Sequence, residues 1–229
     1  MATSVFWPPL CPVCARDVRE DGQPLCADCG GRLVPLPTPR CPRCGGHLDG
    51  VVDACGECLS LPERPWDHAV SVYPYRGPVR ETIHQLKYYR QPHCTQFLGR
   101  SLATAWREHG AGTPDFLVPV PLHWRKQLLR GYNQADLLAL AMSRRLRVPL
   151  RRSALVRTQA TRQQARLSLE DRRRNVRNSF KCPRRAKLQG THIVVVDDVF
   201  TTGSTLAAVT EALRRGGAAR VSVATIARG

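Results

Sequence analysis

The 229-residue chain has no run of apolar residues approaching the roughly eighteen that a helix needs to cross a bilayer, so no transmembrane helix is expected. Its opening, "MATSVFWPPLCPVC", has neither a charged leader nor a long apolar stretch, which argues against a secretory signal and predicts a cytoplasmic protein. Negative charge is scarce: 18 Asp and Glu stand against 35 Lys and Arg, a formal net charge of +17. Lysine is scarcer still, at four residues, so arginine carries most of the positive charge. Its placement says more than its abundance. Residues 1–65 hold 6 basic and 8 acidic side chains, whereas 66–229 hold 29 and 10. Residues 144–187 alone hold 16 basic and 2 acidic groups. A field that dense attracts polyanions, either a pyrophosphate-bearing substrate or nucleic acid.

Apolar side chains are sparse in the first sixty or so residues, where cysteine is plentiful. Eight of the ten cysteines form four CxxC pairs: Cys11/Cys14, Cys26/Cys29, Cys41/Cys44 and Cys55/Cys58. Two thiolates three positions apart reach one ion from a tight turn, and the intervals of 11, 11 and 10 residues leave room for small hairpins. In a cytoplasmic chain this spacing points to metal rather than disulfides. The pattern at 11–29 repeats at 41–58, which predicts two four-cysteine zinc ribbons in series; a cross-brace, in which the first and third pairs share an ion, is the alternative. With so little core, folding energy would come largely from zinc, in closed sites that leave no position for catalysis. Pro35, Pro37 and Pro39 mark a stiff junction between the halves, and "LPERPW" at 61–66 ends the module. The expected domains are therefore a double zinc ribbon over 1–62 and a larger domain over 66–229. Cys94 and Cys182 stand alone and read as structural.

The most informative stretch is "HIVVVDDVFTTGST" at 192–205. The β-branched run before the acids suits a strand covered on both faces, and Leu206, Val209 and Leu213 begin a helical pattern straight after the hydroxyl cluster. Strand, tight loop and helix follow in that order. Ligands of open α/β sheets sit beyond the carboxyl ends of the strands, where a helix N-terminus offers backbone N–H groups to an anion. Gly203 lets the backbone approach closely, while Thr201, Thr202, Ser204 and Thr205 add hydroxyl donors that can also cap the helix. Asp197 and Asp198 would repel a phosphate sharing their cradle, so they are expected to face sugar hydroxyls or a divalent metal. An Asx-rich turn capping an ordinary helix explains either half alone; the whole string is more specific. It resembles the PRPP (5-phosphoribosyl 1-pyrophosphate) motif of type I phosphoribosyltransferases. That resemblance implies ribose contacts for Asp197 and Asp198, the candidate catalytic residues, and 5-phosphate contacts for Thr201, Thr202, Gly203, Ser204 and Thr205.

Between the module and this motif, "HAVSVYPYRGPVRETIHQLKYYR" predicts a strand, a Gly-Pro turn and a helix with Val79, Ile83 and Leu86 inward. "CTQFLGRSLATAW" continues as a second helix, and "DFLVPVPLHWRKQLLRGYNQADLLALAMSRRL" as a short strand, a loop and a long helix capped by Asn133. Arg125 and Arg130 in that loop are candidate pyrophosphate ligands at the same sheet edge as the acids. A polar arm follows, with a short helix capped by Ser168; its Arg172, Arg173 and Arg174 are the nucleic-acid candidates.

Taken together, "LKYYRQPH", "VPVPLHWRKQLLRGYNQA", "RTQATRQQARLSLEDRRRNVRNSF" and "VVVDDVFTTGSTL", after a cysteine-rich start and before "VATIAR", resemble the ComF family over essentially the full chain. Tyr132 stands where the family's RGFNQ-like string has Phe. The resemblance implies a double zinc ribbon ahead of an α/β domain, a type I phosphoribosyltransferase-like parallel sheet flanked by helices. It also implies a PRPP pocket assisted by Mg²⁺, two structural zinc ions, and a place in DNA uptake during natural transformation. Two functions are therefore expected as alternatives: a phosphoribosyltransferase, or a non-enzymatic adaptor for single-stranded DNA or a competence partner that retains a phosphoribosyl site. No acceptor-recognition motif is visible.

Overall fold

Ile193, Val194, Val195 and Val196 are wholly buried at the centre of a parallel sheet, as a β-branched run covered on both faces requires. The computed structural model describes residues 10–18, 24–50, 52–61, 63–88, 94–158 and 179–229. Two short helices, α1 (Ala27–Gly31) and α2 (Gly56–Leu59), lie in the cysteine-rich part. There follow β1 (His68–Pro74), α3 (Gly77–Tyr88), α4 (Cys94–His109), β2 (Phe116–Pro119), α5 (Trp124–Arg130), α6 (Gln134–Leu146) and β3 (Val156–Arg157). The last elements are β4 (Phe180–Lys181), β5 (His192–Phe200), α7 (Ser204–Arg215) and β6 (Arg220–Arg228). The main sheet has the order β1-β6-β5-β2, all parallel, and β3 pairs with β4 as a separate antiparallel ribbon. No helix among the described residues is long and apolar enough to cross a membrane.

Strand alternation sends successive side chains to opposite faces, and two cores result. Val194 and Val196 pack with Ile83 of α3, Leu98 and Leu102 of α4, and Leu138 and Met142 of α6. Ile193 and Val195 pack on the other face with Leu206, Val209 and Leu213 of α7 and with Phe116, Phe180 and Phe200. The inward set expected for α3 is buried as expected: Val79, Ile83 and Leu86. Asn133 caps α6, its Oδ1 accepting from the Ala135 N–H at 3.1 Å.

Two local expectations need correction. The predicted strand-loop boundary fell before the acids, but β5 runs on through Asp197 and Asp198 to Phe200 because β6 pairs with it over that whole length. The loop between β2 and Asn133 contains a helix, α5, held at its ends rather than by burial. His123 Nδ1 accepts from the Arg125 N–H at 3.3 Å, and Gly131 closes the other end in a left-handed conformation.

The cysteines assemble in series. The sulfurs of Cys11, Cys14, Cys26 and Cys29 lie within 4.8 Å of one another, and so do those of Cys41, Cys44, Cys55 and Cys58. Thiolates about 2.3 Å from a tetrahedral zinc are about 3.8 Å apart, so both tetrads fit a structural Zn²⁺ and the cross-brace is excluded. The two units differ in what holds them. The first has its own small core of Cys11, Val18, Leu25 and Cys29. The second is fused to the sheet: Cys41, Cys44, Leu48, Ala54 and Cys58 belong to the α7-side core. It also covers the edge strand, the Ala69 N–H donating to the Pro42 carbonyl and the Leu36 N–H to Val72, both at 2.8 Å. Gly45 permits this approach; a Cβ there would lie 2.4 Å from the Ser71 nitrogen.

Purified protein should therefore carry two zinc ions per chain. Cys11→Ser should remove one with little change in melting temperature, whereas Cys41→Ser should remove the other and lower that temperature distinctly. Elemental analysis with thermal unfolding checks both; loss of both ions from a single substitution would contradict independent sites.

Candidate functional site

Alternation along β5 separates the two acids that sequence reasoning treated as a pair. Asp198 points to the α3/α6 face and is only 4% exposed. A carboxylate so buried needs partners for its charge, and it has them. Lys87 Nζ, from the last turn of α3, lies 3.0 Å from Oδ1. Gln134 Nε2, from the first turn of α6, donates to Oδ2 at 2.9 Å. Gln134 Oε1 in turn accepts from Arg130, at the end of α5. The hydroxyl of Tyr132 donates to the Leu86 carbonyl, so the residue that departs from the family string pins the end of α3 from which Lys87 projects.

Asp197 faces the other way and is half-buried. Its Oδ1 accepts from the Asp198 N–H at 2.9 Å. Burial foremost, and then the neighbouring Asp198 charge, push its carboxyl up to about 7; that hydrogen bond, Lys87 and Arg157 of β3 act in the opposite sense. Arg157 also acts on His123, the cap residue of α5, together with two α5 cations. Burial, then Arg157, Arg125 and Lys126, lower the pKa of His123 below the ordinary value for a histidine.

Beyond β5, Thr201 and Thr202 are exposed and Gly203 opens α7 with φ +77°. A Cβ at Gly203 would lie 2.9 Å from the Phe200 ring and 3.0 Å from Trp66, so any side chain there would strain the backbone and push these rings aside. The cap position is Gly203, which has no side chain to offer, and an expected hydroxyl does the capping from the residue before it: Thr202 Oγ1 accepts from the Ser204 N–H at 3.4 Å. Thr202 Oγ1 and Ser204 Oγ also pair at 2.9 Å. Two arginines hold the loop from outside: Arg64 Nη1 donates to the Thr202 carbonyl at 2.8 Å and Arg228 Nη1 to the Thr201 carbonyl at 3.3 Å. With those carbonyls engaged, the exposed hydroxyls and the N-terminus of the twelve-residue α7 form an anion-receptive end.

Of the residues expected at the site, Asp197, Asp198, Thr201, Thr202, Gly203, Ser204 and Thr205 are brought to one end of β5. Arg130 joins them through Gln134, while Arg125 lies with its guanidinium carbon 5.1 Å from the Trp124 ring. Arg172, Arg173, Arg174 and Ser168 lie outside the described residues. Sequence reasoning missed Lys87, Gln134, Arg64, Arg157 and Arg228. Lys87, Gln134, Arg157 and Arg228 sit inside strings that carry the family resemblance; Arg64 has no motif, only folding distance.

The Asp197 carboxyl gives a pH prediction. An unfolded aspartate titrates near about 3.9, so between there and about 7 the folded chain binds the extra proton and stability falls as pH rises. Asp197→Asn removes that loss. Its melting temperature should exceed that of wild type by a margin that grows from about pH 4 to about pH 7 and then levels off. A margin independent of pH would show that Asp197 ionises as it does in the unfolded chain.

Comparison with known proteins gives a consistent picture. Residues 2–59 match the double zinc ribbon domain and residues 134–229 the phosphoribosyl transferase domain. The DNA utilization protein YhgH of Escherichia coli K12 is 42% identical over 178 residues, 76% of this chain and 77% of that one. Competence protein F of Haemophilus influenzae is 36% identical over 179 residues, 76% of this chain and 78% of that one. Competence protein ComFC of Bacillus subtilis is 29% identical over 159 residues, 69% of this chain and 63% of that one. Identities of 42% and 36% over three quarters of both chains mean that the chain belongs to the ComF family, in which a double zinc ribbon precedes a phosphoribosyltransferase domain.

Proposed function

We propose that the chain binds PRPP, or a related phosphoribosyl ligand, across the ends of β5 and β2. The observation that carries this reading is the succession on one strand end of two carboxylates and the hydroxyl-rich loop that opens α7. Asp197 and Asp198 accept from the ribose hydroxyls, and Thr201, Thr202, Gly203, Ser204 and Thr205 hold the 5-phosphate. Arg130, with Arg125 further out, offsets the pyrophosphate. Magnesium fits as part of the ligand, because Mg²⁺ is commonly held by one or two carboxylates together with substrate phosphates. Asp198 is committed to Lys87 and Gln134, which leaves Asp197 the better placed acid. Bound there, the ion would stabilise charge on a departing pyrophosphate.

Transfer of the phosphoribosyl group to an amine or base suits such a site. The reaction passes through an oxocarbenium-like state, so the chain must fix the sugar and exclude water, and needs no nucleophile of its own. On this reading the chain divides into a zinc module over 1–62 and a ligand-binding domain over 66–229. It acts in the cytoplasm during DNA uptake; the relatives' names, DNA utilization protein in E. coli and Competence protein F in H. influenzae, support a DNA-related role.

One observation favours the second reading, an adaptor for single-stranded DNA. On α5, Trp124, Leu128 and Leu129 are 62%, 75% and 77% exposed beside Arg125 and Lys126. An exposed aromatic among cations is how single strands are held without sequence preference.

Two outcomes separate the readings. Combined Asp197→Asn and Asp198→Asn should leave a folded protein whose thermal stabilisation by Mg-PRPP is lost, with affinity reduced about tenfold or more. Unchanged stabilisation would mean that the carboxylates serve the fold alone. Replacing Arg172, Arg173 and Arg174 with Ala should weaken binding of an oligothymidine strand and flatten its salt dependence. If affinity and slope are unchanged, the arm takes no part in DNA binding.

A further inference from the structure

Both oxygens of Asp198 are occupied, one by an ammonium and one by an amide, at the position where a ribose diol is expected. A ligand that uses Asp198 must therefore displace one of these partners. Gln134 is fixed from both sides, since its other amide atom is bonded to Arg130. Lys87 is attached only through a flexible four-carbon stem, and its side chain is 21% exposed against 6% for that of Asp198. The movable partner is the lysine.

Moving it has a condition. A buried carboxylate stripped of its ammonium is strongly unfavourable unless other donors replace it. A ribose diol supplies donors for Asp198 but nothing for the released ammonium. A ligand that also carries an anionic group beside the diol supplies both. The surroundings already hold surplus positive charge for such a group. Arg130 lies with its guanidinium carbon 5.8 Å from the Tyr88 ring, next in sequence to Lys87, and Arg157 acts on Asp197 from the opposite face.

We infer that Lys87 is a specificity-determining cation: it rests on Asp198 in the empty site and passes to the pyrophosphate of the incoming ligand, freeing Asp198 for the ribose. This rests on the phosphoribosyl reading above and adds a selectivity. Ligands with a 1-pyrophosphate are preferred over ribose 5-phosphate, and Lys87 sets the preference.

The test uses the full-length, zinc-loaded chain and calorimetric titration with PRPP and, separately, with ribose 5-phosphate. Lys87→Gln retains a donor for Asp198 without the charge. It should cut the PRPP-to-ribose-5-phosphate affinity ratio about tenfold or more, with ribose 5-phosphate affinity held or raised because no ammonium is left stranded. Lys87→Arg should restore most of the ratio, which a purely structural lysine would not require. An unchanged ratio in Lys87→Gln, or equal loss for both ligands, overturns the role of Lys87 and leaves the phosphoribosyl site standing. Wild-type protein that binds neither ligand overturns both. Should Lys87→Gln not fold, Lys87→Gln combined with Asp198→Asn leaves a neutral pair, and inorganic pyrophosphate becomes the probe. Affinity equal to wild type then overturns the inference, and loss of pyrophosphate binding supports it.

Discussion

The buried carboxylate of Asp198 is the constraint on which the site depends. An ionised group with 4% exposure persists only if its charge is met, and the fold brings a helix end to each oxygen to do so. The last turn of α3 supplies Lys87 and the first turn of α6 supplies Gln134. The "RGYNQ" string at 130–134 then reads as one device. Arg130 and Gln134 continue the chain of contacts, Gly131 ends α5, Tyr132 fixes α3 and Asn133 starts α6. Asp197, one residue away, escapes this network because strand geometry turns it to the other face.

The loop between β5 and α7 depends on a different neighbourhood. Arg64 and Arg228 hold its carbonyls, and both guanidinium groups lie over the Phe200 ring, at 5.6 Å and 4.8 Å. Trp66 meets the same ring edge-on at 5.5 Å and donates to the Arg43 carbonyl within the second ribbon. Arg228 is also paired with Glu57 of that ribbon. The second zinc unit therefore buttresses the loop, while the first, with its separate core, lies outside this set of contacts. Two sequence-equivalent ribbons thus carry different mechanical duties.

Much of this was legible in the sequence because it rests on local pattern. The CxxC spacing announced two tetrads, the β-branched run announced β5, and the hydroxyl-glycine cluster announced the turn into α7. What was not legible depends on register and on long-range contact. The expected boundary of β5 was short because nothing in "DDVF" reveals that β6 pairs with it. Lys87 follows an ordinary rule for helix ends, which favours cations in the last turn, so its reach to Asp198 is invisible without the fold. Helix α5 was missed because its leucines and tryptophan are exposed, and a short segment without a buried face gives no periodic signal.

The central proposal, binding of a phosphoribosyl ligand with its metal, rests on a strand end that carries acids on both faces beside the loop that opens α7. The most direct measurement is titration calorimetry of PRPP into the wild-type chain, once with Mg²⁺ and once with the magnesium omitted. A single saturable site per chain, weakened in the absence of magnesium, is the expected result. Absence of saturable heat under both conditions, from protein shown to be folded and zinc-loaded, would contradict a phosphoribosyl site at the end of β5.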